Sequence, residues 1–554
     1  MRARRSSFVF GVFAVGVLAL GSHCGSGNNS GFVTSDASTG SDSPEFPGDD
    51  GGLLGDVSTA DVPVVVDKCH VPPDNSSGNA PNCNTPPLPP NSFTPKTKWT
   101  WDAPPPVGNG YQGSMVTPLV ANFTDDDKDG EINLCDIPDV IVTTNGGPIA
   151  ANGKMYMLAG DTGQLEVTFD GNVDGSVNPA IGDVDNDGIP EVVAVDLAGH
   201  VVIYDEKGHL QTTGPDVGTW KSNTNSYCNA IAIYDLDADG SPEIIVAFEV
   251  FNSVGKKKFG HDVSAFQGQY WCPANTAADL DGDGKLEVIF GNAAYHADGT
   301  LMWSIPGPPG QPQVANLDSD TDPEIFIARQ DGLLVLEHTG QIKFGPIKPF
   351  NEATSPNCWS KPAAVHDFDG DGIADLNASG CLNYGVLKVG TTGLTLNWSA
   401  PVNDTSGLAS STAFDFLGRG IANAVYGDQV SLLILDGKTG QQYLTAPRSS
   451  GTLIEYPVVA DIDNDQSADI LVVSNTNFGS GYKHTIEAFQ DAQKRWIPTR
   501  RIWNQHAYHV TNLREDGTIP KVMGKNWRQL NTFRTNSQIQ AGGDCAPPPP
   551  NPPK

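Results

Sequence analysis

A nine-residue pattern, Asp-x-Asp-x-Asp-Gly-x-x-Asp/Glu, recurs along this chain and is the part of the sequence best equipped for chemistry. Oxygen ligands at positions 1, 3 and 5 converge on one cation when the backbone curls. Glycine at position 6 takes the sharp turn, and an acid at position 9 closes the shell. An oxygen-only, multi-carboxylate set selects a hard ion, calcium, over zinc or copper. Six copies supply the expected ligand sets. They are Asp183, Asp185, Asp187, Glu191; Asp235, Asp237, Asp239, Glu243; and Asp279, Asp281, Asp283, Glu287. The other three are Asn316, Asp318, Asp320, Glu324; Asp367, Asp369, Asp371, Asp375; and Asp461, Asp463, Asp465, Asp469. A turn alone does not need carboxylates at all four positions, so repetition at one spacing argues for metal. A further copy has Leu417 and Arg419 where ligands belong; it is expected to be metal-free, with Arg419 supplying a cation in place.

The earliest copy is expanded. Asp125, Asp127, Asp129, Gly130, Ile132 and Asp136 fall at positions 1, 3, 5, 6, 8 and 12 of an EF-hand-type loop. That loop reads as an insertion between Asn122 and Asp139, the unit's own first and last ligand positions. The expectation is therefore Ca2+ at six to seven sites.

These loops must be positioned by regular elements. The first acidic positions, 183, 235, 279, 316, 367, 415 and 461, lie 37 to 52 residues apart, a period that signals a repeat architecture. Each unit gives one or two apolar residues, the acidic loop, then a β-branched run such as EVVAV or EIIVA. Further short strands follow around D-G, T-G or K-G turns, which are hairpin signals. Three or four strands per unit without helical periodicity predict an all-β fold, a β-propeller. A parallel β-helix has shorter coils, and a β-sandwich would not repeat its sequence. Counting loops favours eight blades, with seven the alternative. KWTWDAPPP (98–106) resembles blade ends such as LMWSIPGPP (301–309), so the N-terminal strand is expected to complete the last blade.

The repeats resemble FG-GAP repeats, the VCBS-type and integrin α N-terminal kind found in bacterial surface proteins, over roughly residues 115 to 490. The resemblance implies a propeller with calcium in loops on one face of the disc. Integrin-like propellers bind proteins, related fungal propellers bind sugars, and one family of polysaccharide lyases uses a similar calcium-bearing propeller, so fold and ion follow more directly than function.

The flanks read differently. Residues 1–24 carry three arginines, an apolar run from Phe8 to Leu20 and then small residues, a secretory signal too short to span a bilayer comfortably. Cys24 sits where a lipoprotein carries its lipidated cysteine, although His23 replaces the usual small residue, and Ala19-Leu20-Gly21 offers an ordinary cleavage site. Both cleavage modes stay open: an outer-membrane lipoprotein at the cell surface, or a secreted protein. Residues 25–95 are expected to be a disordered linker, residues 96–494 the propeller, and residues 546–554 a proline-rich tail. Residues 495–545 fit no blade and are the most aromatic and basic part of the chain. They are expected to cap the disc or dock a partner through Trp496, Arg500, Arg501, Trp503, Tyr508 and Trp527. His506 and His509 have HxxH spacing without an evident third zinc ligand and read as satisfied histidines.

Setting Cys24 aside leaves eight of the nine cysteines, able to form four disulfides in an oxidising compartment. Cys228 and Cys272 both lie seven residues before the first Asp of successive loops, which predicts Cys228–Cys272. Cys358 and Cys381 flank one loop, which predicts Cys358–Cys381, and Cys69 and Cys83 are placed to close a small loop.

Composition excludes some functions. Lys plus Arg number 33 against 65 Asp plus Glu, a net charge of −32, which repels nucleic acid and anionic lipid. Membrane association is expected only through an N-terminal lipid anchor. No nucleophile elbow, phosphate loop, HExxH or triad is present, and His261, His296 and His366 make no catalytic pattern. The expectation is a non-enzymatic cell-surface module for protein binding or adhesion. The alternative is a carbohydrate-binding propeller or calcium-dependent polysaccharide lyase. The partner is a surface protein or glycan.

Overall fold

The computed structural model describes residues 69–71, 80–104, 113–146, 152–213, 228–266, 268–269, 272–350, 361–405, 409–476, 484–540 and 543–546. The expected leader, Cys24, most of the linker, Cys358 and residues 547–554 lie outside the described residues.

Eight antiparallel sheets form an eight-bladed propeller. Blade 1 runs through Leu119–Ala121, Asp139–Asn145, Asn152–Ala159 and Leu165–Thr168, and blade 2 through Ala180–Gly182, Glu191–Val195, Val201–Tyr204 and Leu210–Thr213. Blade 3 begins at Asn229–Tyr234, blade 4 at Thr276–Ala278, blade 5 at Gln311–Ala315, blade 6 at Val365–His366 and blade 7 at Ser411–Phe414. Blade 8 contributes Val458–Ala460, Asp469–Val473 and Ile486–Asp491, and its fourth strand is Pro95–Trp101 from the N-terminal end. The ring is thus closed by strand pairing between the two ends of the repeat region, as the 98–106 segment predicts.

Burial explains the strand sequences. EVVAV and EIIV are buried at every position, because second strands are covered on both faces by neighbouring blades. Fourth strands lie outside and alternate; LMWS buries only its tryptophan. That aromatic clasps the next blade. Trp99 of blade 8 donates its indole N–H to the Gly160 carbonyl at 2.7 Å, and Trp303 of blade 4 donates to the His338 carbonyl at 3.0 Å. The turn glycines beneath them, Gly163 and Gly340, sit at φ +68° and +82°. A Cβ there would fall 2.6 Å from the indole ring, so the T-G turns serve both backbone conformation and blade packing.

The C-terminal segment threads around the inner strands. Val120 and Trp503 exchange backbone hydrogen bonds at 2.9 Å, and the Ile181 N–H donates to the Asn504 carbonyl at 2.8 Å. The Ile233 N–H donates to the Gln505 side chain at 2.9 Å, and the Asn316 N–H to the Asn531 side chain at 2.8 Å. Val365 pairs with Phe533, the Thr412 hydroxyl donates to the Arg534 carbonyl at 2.6 Å, and the Asp461 N–H donates to the Arg500 carbonyl at 3.2 Å. Blades 1, 2, 3, 5, 6, 7 and 8 are therefore tied to one strand of chain, and Lys525 reaches the blade 4 loop.

This corrects the docking expectation. Trp496, Arg500, Arg501, Trp503, Tyr508 and Trp527 are all buried, from 0% exposure at Trp503 to 8% at Arg501, so they anchor the segment to the propeller and present no free surface. The arginines are spent internally: Arg500 donates to the Val510 and Leu513 carbonyls, and Arg501 pairs with Glu515 at 2.8 Å.

The N-terminal flank is also revised. Residues 80–94, assigned to the linker, pack on the body, with Phe93 stacked on Trp496 at 5.0 Å. Cys69 pairs with Cys135 in the expanded loop and Cys83 with Cys545, so no small Cys69–Cys83 loop forms. Proximity in sequence misled here, because Cys69 meets the inserted loop of blade 1, whereas the segment after Cys83 runs to blade 7, where the Leu88 N–H donates to the Leu417 carbonyl. Cys228–Cys272 is present, with Cα atoms 4.6 Å apart. Cys381 is disulfide-bonded, while Cys358, its expected partner, lies outside the described residues.

Candidate metal centres

Every acidic loop joins the first strand of its blade to the second, so all lie on one side of the ring. The position-9 acid opens the second strand and turns back on the loop. Glu191 accepts from the Val184 N–H at 2.9 Å, Glu243 from Leu236 at 2.9 Å, Glu287 from Leu280 at 2.8 Å and Glu324 from Leu317 at 2.7 Å. Asp375 and Asp469 do the same to Phe368 and Ile462. In blade 1 Asp139 accepts from Phe123 at 2.8 Å, which shows that the 125–136 loop is an insertion into a standard unit. Position 1 folds the turn: Asp183, Asp235, Asp367 and Asp461 each accept from the backbone N–H five residues on, at 3.1, 2.7, 2.8 and 2.9 Å.

These bonds leave carboxylate oxygens converging on one point. Ligand atoms of Asp183, Asp185 and Glu191 lie within 4.8 Å of one another, as do those of Asp125, Asp127 and Asp136; Asp235, Asp237 and Asp239; and Asp279, Asp281 and Asp283. In the inserted loop Asp136 accepts from Asp126 and Asn133, while Asp125 accepts from Gly130 at 3.0 Å. Such clusters could hold metal ions. Blade 5 departs from the others, because Asn316 donates its amide to the Asp320 carbonyl at 2.6 Å. In blade 7 Asp415 keeps the turn by accepting from Gly420 at 2.6 Å, and Arg419 lies 3.6 Å from Asp436, off the loop.

Burial pushes several loop carboxyls upward. Burial, followed by the like charges of Asp185, Asp183 and Asp187, pushes Glu191 up to about 8. Burial, with Asp463 and Asp465, pushes Asp461 up to about 7. Burial and the adjacent Glu166 carboxyl push Asp139 well above the usual range. Basic side chains also reach into several loops: Lys258, Lys343, Lys388 and Lys98 into those of blades 3, 5, 6 and 8, and the His296 imidazole into that of blade 4. Sequence reasoning missed them. The available signal was the lysine preceding the clasping aromatic in Lys98-Trp99, Lys258-Phe259 and Lys343-Phe344, since alternation on the strand puts that residue on the loop side.

The histidines are held by structural contacts. His506 bonds the Ile454 carbonyl at 3.0 Å and His509 the Thr511 hydroxyl at 3.1 Å, neither with a metal-ligating partner. His261 bonds Tyr295 at 2.9 Å and Asn292 at 3.0 Å. A cleft of about 170 Å³ between blades 6 and 7 is lined by His366, Asp367, Asp415, Leu530 and Gln538.

Fold and loops together define an eight-bladed propeller with carboxylate clusters between the first and second strands of its blades. Within it, residues 183–246 and 316–376 match the family model of FG-GAP-like repeats. Cartilage acidic protein 1 of Xenopus tropicalis is 25% identical over 283 residues, which is 47% of this chain and 37% of that protein. The chain thus spans little more than a third of that relative's length. Among solved structures, the V. cholerae biofilm matrix protein Bap1 superposes with a TM-score of 0.65 at 22% identity, over 80% of this chain and 99% of that one. Rhamnogalacturonan lyase YesW gives 0.50 at 17% identity, over 82% and 83%. Both likenesses concern the fold.

Proposed function

We propose that the protein is an exported calcium-binding propeller acting as a cell-surface module for protein binding or adhesion, with calcium as a structural ligand of its loops. The observation that carries the calcium reading is blade 2. Asp183, Asp185 and Glu191 converge there, and among the described residues no Lys, Arg or His lies within ion-pair distance of them. Burying Asp183 and Glu191 beside the exposed Asp185 carboxylate is costly unless a cation compensates. An all-oxygen set fits calcium, which would neutralise the loop and fix its curl.

Export is supported by three described disulfides, which persist in oxidising compartments. Binding is favoured over catalysis because the loop carboxylates serve the turns and His261, His506 and His509 serve structural hydrogen bonds. A biofilm matrix protein on the same architecture supports that choice as a fold-level analogy. The sugar-binding or lyase reading is favoured by one feature, the cleft beside His366 and Asp367.

The test uses the full chain. At about 1 mM calcium and a Kd near 10⁻⁴ M, each occupied site adds roughly 1.4 kcal/mol, so chelation should lower the melting temperature and calcium restore it. An unchanged melt overturns the calcium reading. A glycan array run beside capture of surface proteins then separates the readings. Glycan binding alone favours the alternative, and shortening of a bound polysaccharide establishes the lyase.

A further inference from the structure

The loops share one backbone but not one charge environment. In blade 3 the Lys258 ammonium lies 2.6 Å from Glu243 and 3.1 Å from Asp237. In blade 5 Lys343 lies 2.6 Å from Asp318, 2.8 Å from Glu324 and 3.0 Å from Glu337. In blade 6 Lys388 lies 2.7 Å from Asp369 and also contacts Asp371. In blade 8 Lys98 lies 2.5 Å from Asp463 and 3.0 Å from Asp469, while Lys494 lies 2.8 Å from Asp465. Each ammonium bridges at least two carboxylates of the expected ligand set. Three of them are delivered from the same register of the fourth strand and Lys388 from the third, so the arrangement is built into the blade.

The remaining loops lack this device. Blade 1 presents Glu166 to Asp139, a carboxylate in the lysine's register. Blade 2 presents Gln211, which bonds Asp205 instead. Blade 4 presents His296, 3.0 Å from Glu287 and 3.8 Å from Asp281, an imidazole able to join those carboxylates as a ligand. Its Lys525 touches Asp279 alone among the loop acids.

We infer that the side chain facing each loop decides whether it binds a divalent cation: the loops of blades 3, 5, 6 and 8 are neutralised by a tethered ammonium, and only those of blades 1, 2 and 4 take calcium. The inference rests on the calcium reading above and reduces its six to seven sites to three. The ammonium donates to the oxygens a cation would need. It also places a like charge within about 4 Å of the ion, a separation at which charges interact strongly even at an effective dielectric constant of 20. The two neutralisation modes differ in origin: the ammonium folds with the chain, whereas the cation is taken from solution.

Metal content of the full chain, dialysed against calcium and counted by mass spectrometry, tests this. About three equivalents are expected. Six or seven overturn the lysine partition while leaving the calcium reading intact, and none overturns the calcium reading itself. Lys343→Met and Lys258→Met keep the aliphatic stem and remove the charge. Each should gain one equivalent, melt lower than the parent in chelator and regain the loss in calcium. Lysine variants that stay folded at the parent's metal content and melt identically with and without calcium overturn the partition. A variant that folds only with calcium supports it.

Discussion

Trp503→Ala is the sharpest test of the C-terminal segment's hold on the inner strands. Its indole is fully buried, stacks on Tyr508 with ring centroids 4.3 Å apart and meets Tyr456 edge-on at 6.0 Å, while its backbone pairs with Val120 of blade 1. Truncating a buried tryptophan costs about 3–5 kcal/mol, and losing two aromatic pairs, at roughly 0.5–1.5 kcal/mol each, places this site near the upper end. For a body of roughly 450 residues unfolding with about 2.1 cal/mol/K per residue, 4 kcal/mol lowers the midpoint by about 4 °C. Far-UV circular dichroism is the suitable readout, because it does not rely on the deleted fluorophore. Leu396→Ala, on the outer strand of blade 6 and 40% exposed, is the control and should stay within about 0.5 kcal/mol of the parent. If Trp503→Ala melts no lower than that control, segment 495–540 does not hold the inner strands together and the reasoning fails.

Three further outcomes follow from the structure. Burial, then the nearby Arg534 charge, holds His506 well below the usual imidazole range and His509 at about 3. The folded state therefore binds fewer protons than the unfolded one. Stability is intact above about 6.5 and is lost as pH falls toward 3, by on the order of 4 kcal/mol for His509 alone. Chemical denaturation at pH 7 and pH 4 should show His509→Gln losing less stability on acidification than the parent; equal losses would contradict the assignment. Peptide mapping without reduction should recover Cys69–Cys135, Cys83–Cys545 and Cys228–Cys272, and a Cys69–Cys83 peptide would refute the observed connectivity. Replacing Cys83 and Cys545 with serine should destabilise the fold by about 2–5 kcal/mol, measured by urea unfolding.

What is local and repeated is legible in the chain alone. The acidic loops announce themselves because position 1 must accept from the N–H five residues on, and position 9 must reach back to position 2. Both contacts lie within one loop, so their residue types appear at fixed spacing. The β-branched second strands and the T-G turns are legible for the same reason, and the repeat count yields eight blades. Cys228–Cys272 was readable because both cysteines hold the same place in successive units.

Features that depend on distant segments meeting become visible only in the folded chain. Trp496 and Arg500 have the composition of an interface, and nothing in their sequence distinguishes an external partner from the blades of their own propeller. Cys83–Cys545, 462 residues apart, depends on the segments before and after the repeats meeting on the propeller. The lysines facing four of the loops depend on a strand placed one or two hairpins away, or in blade 8 at the other end of the repeat region. A carboxylate loop looks the same in sequence whether an ammonium or a metal ion is to balance it, because charge balance is set in space and the nine-residue pattern records only one side of it.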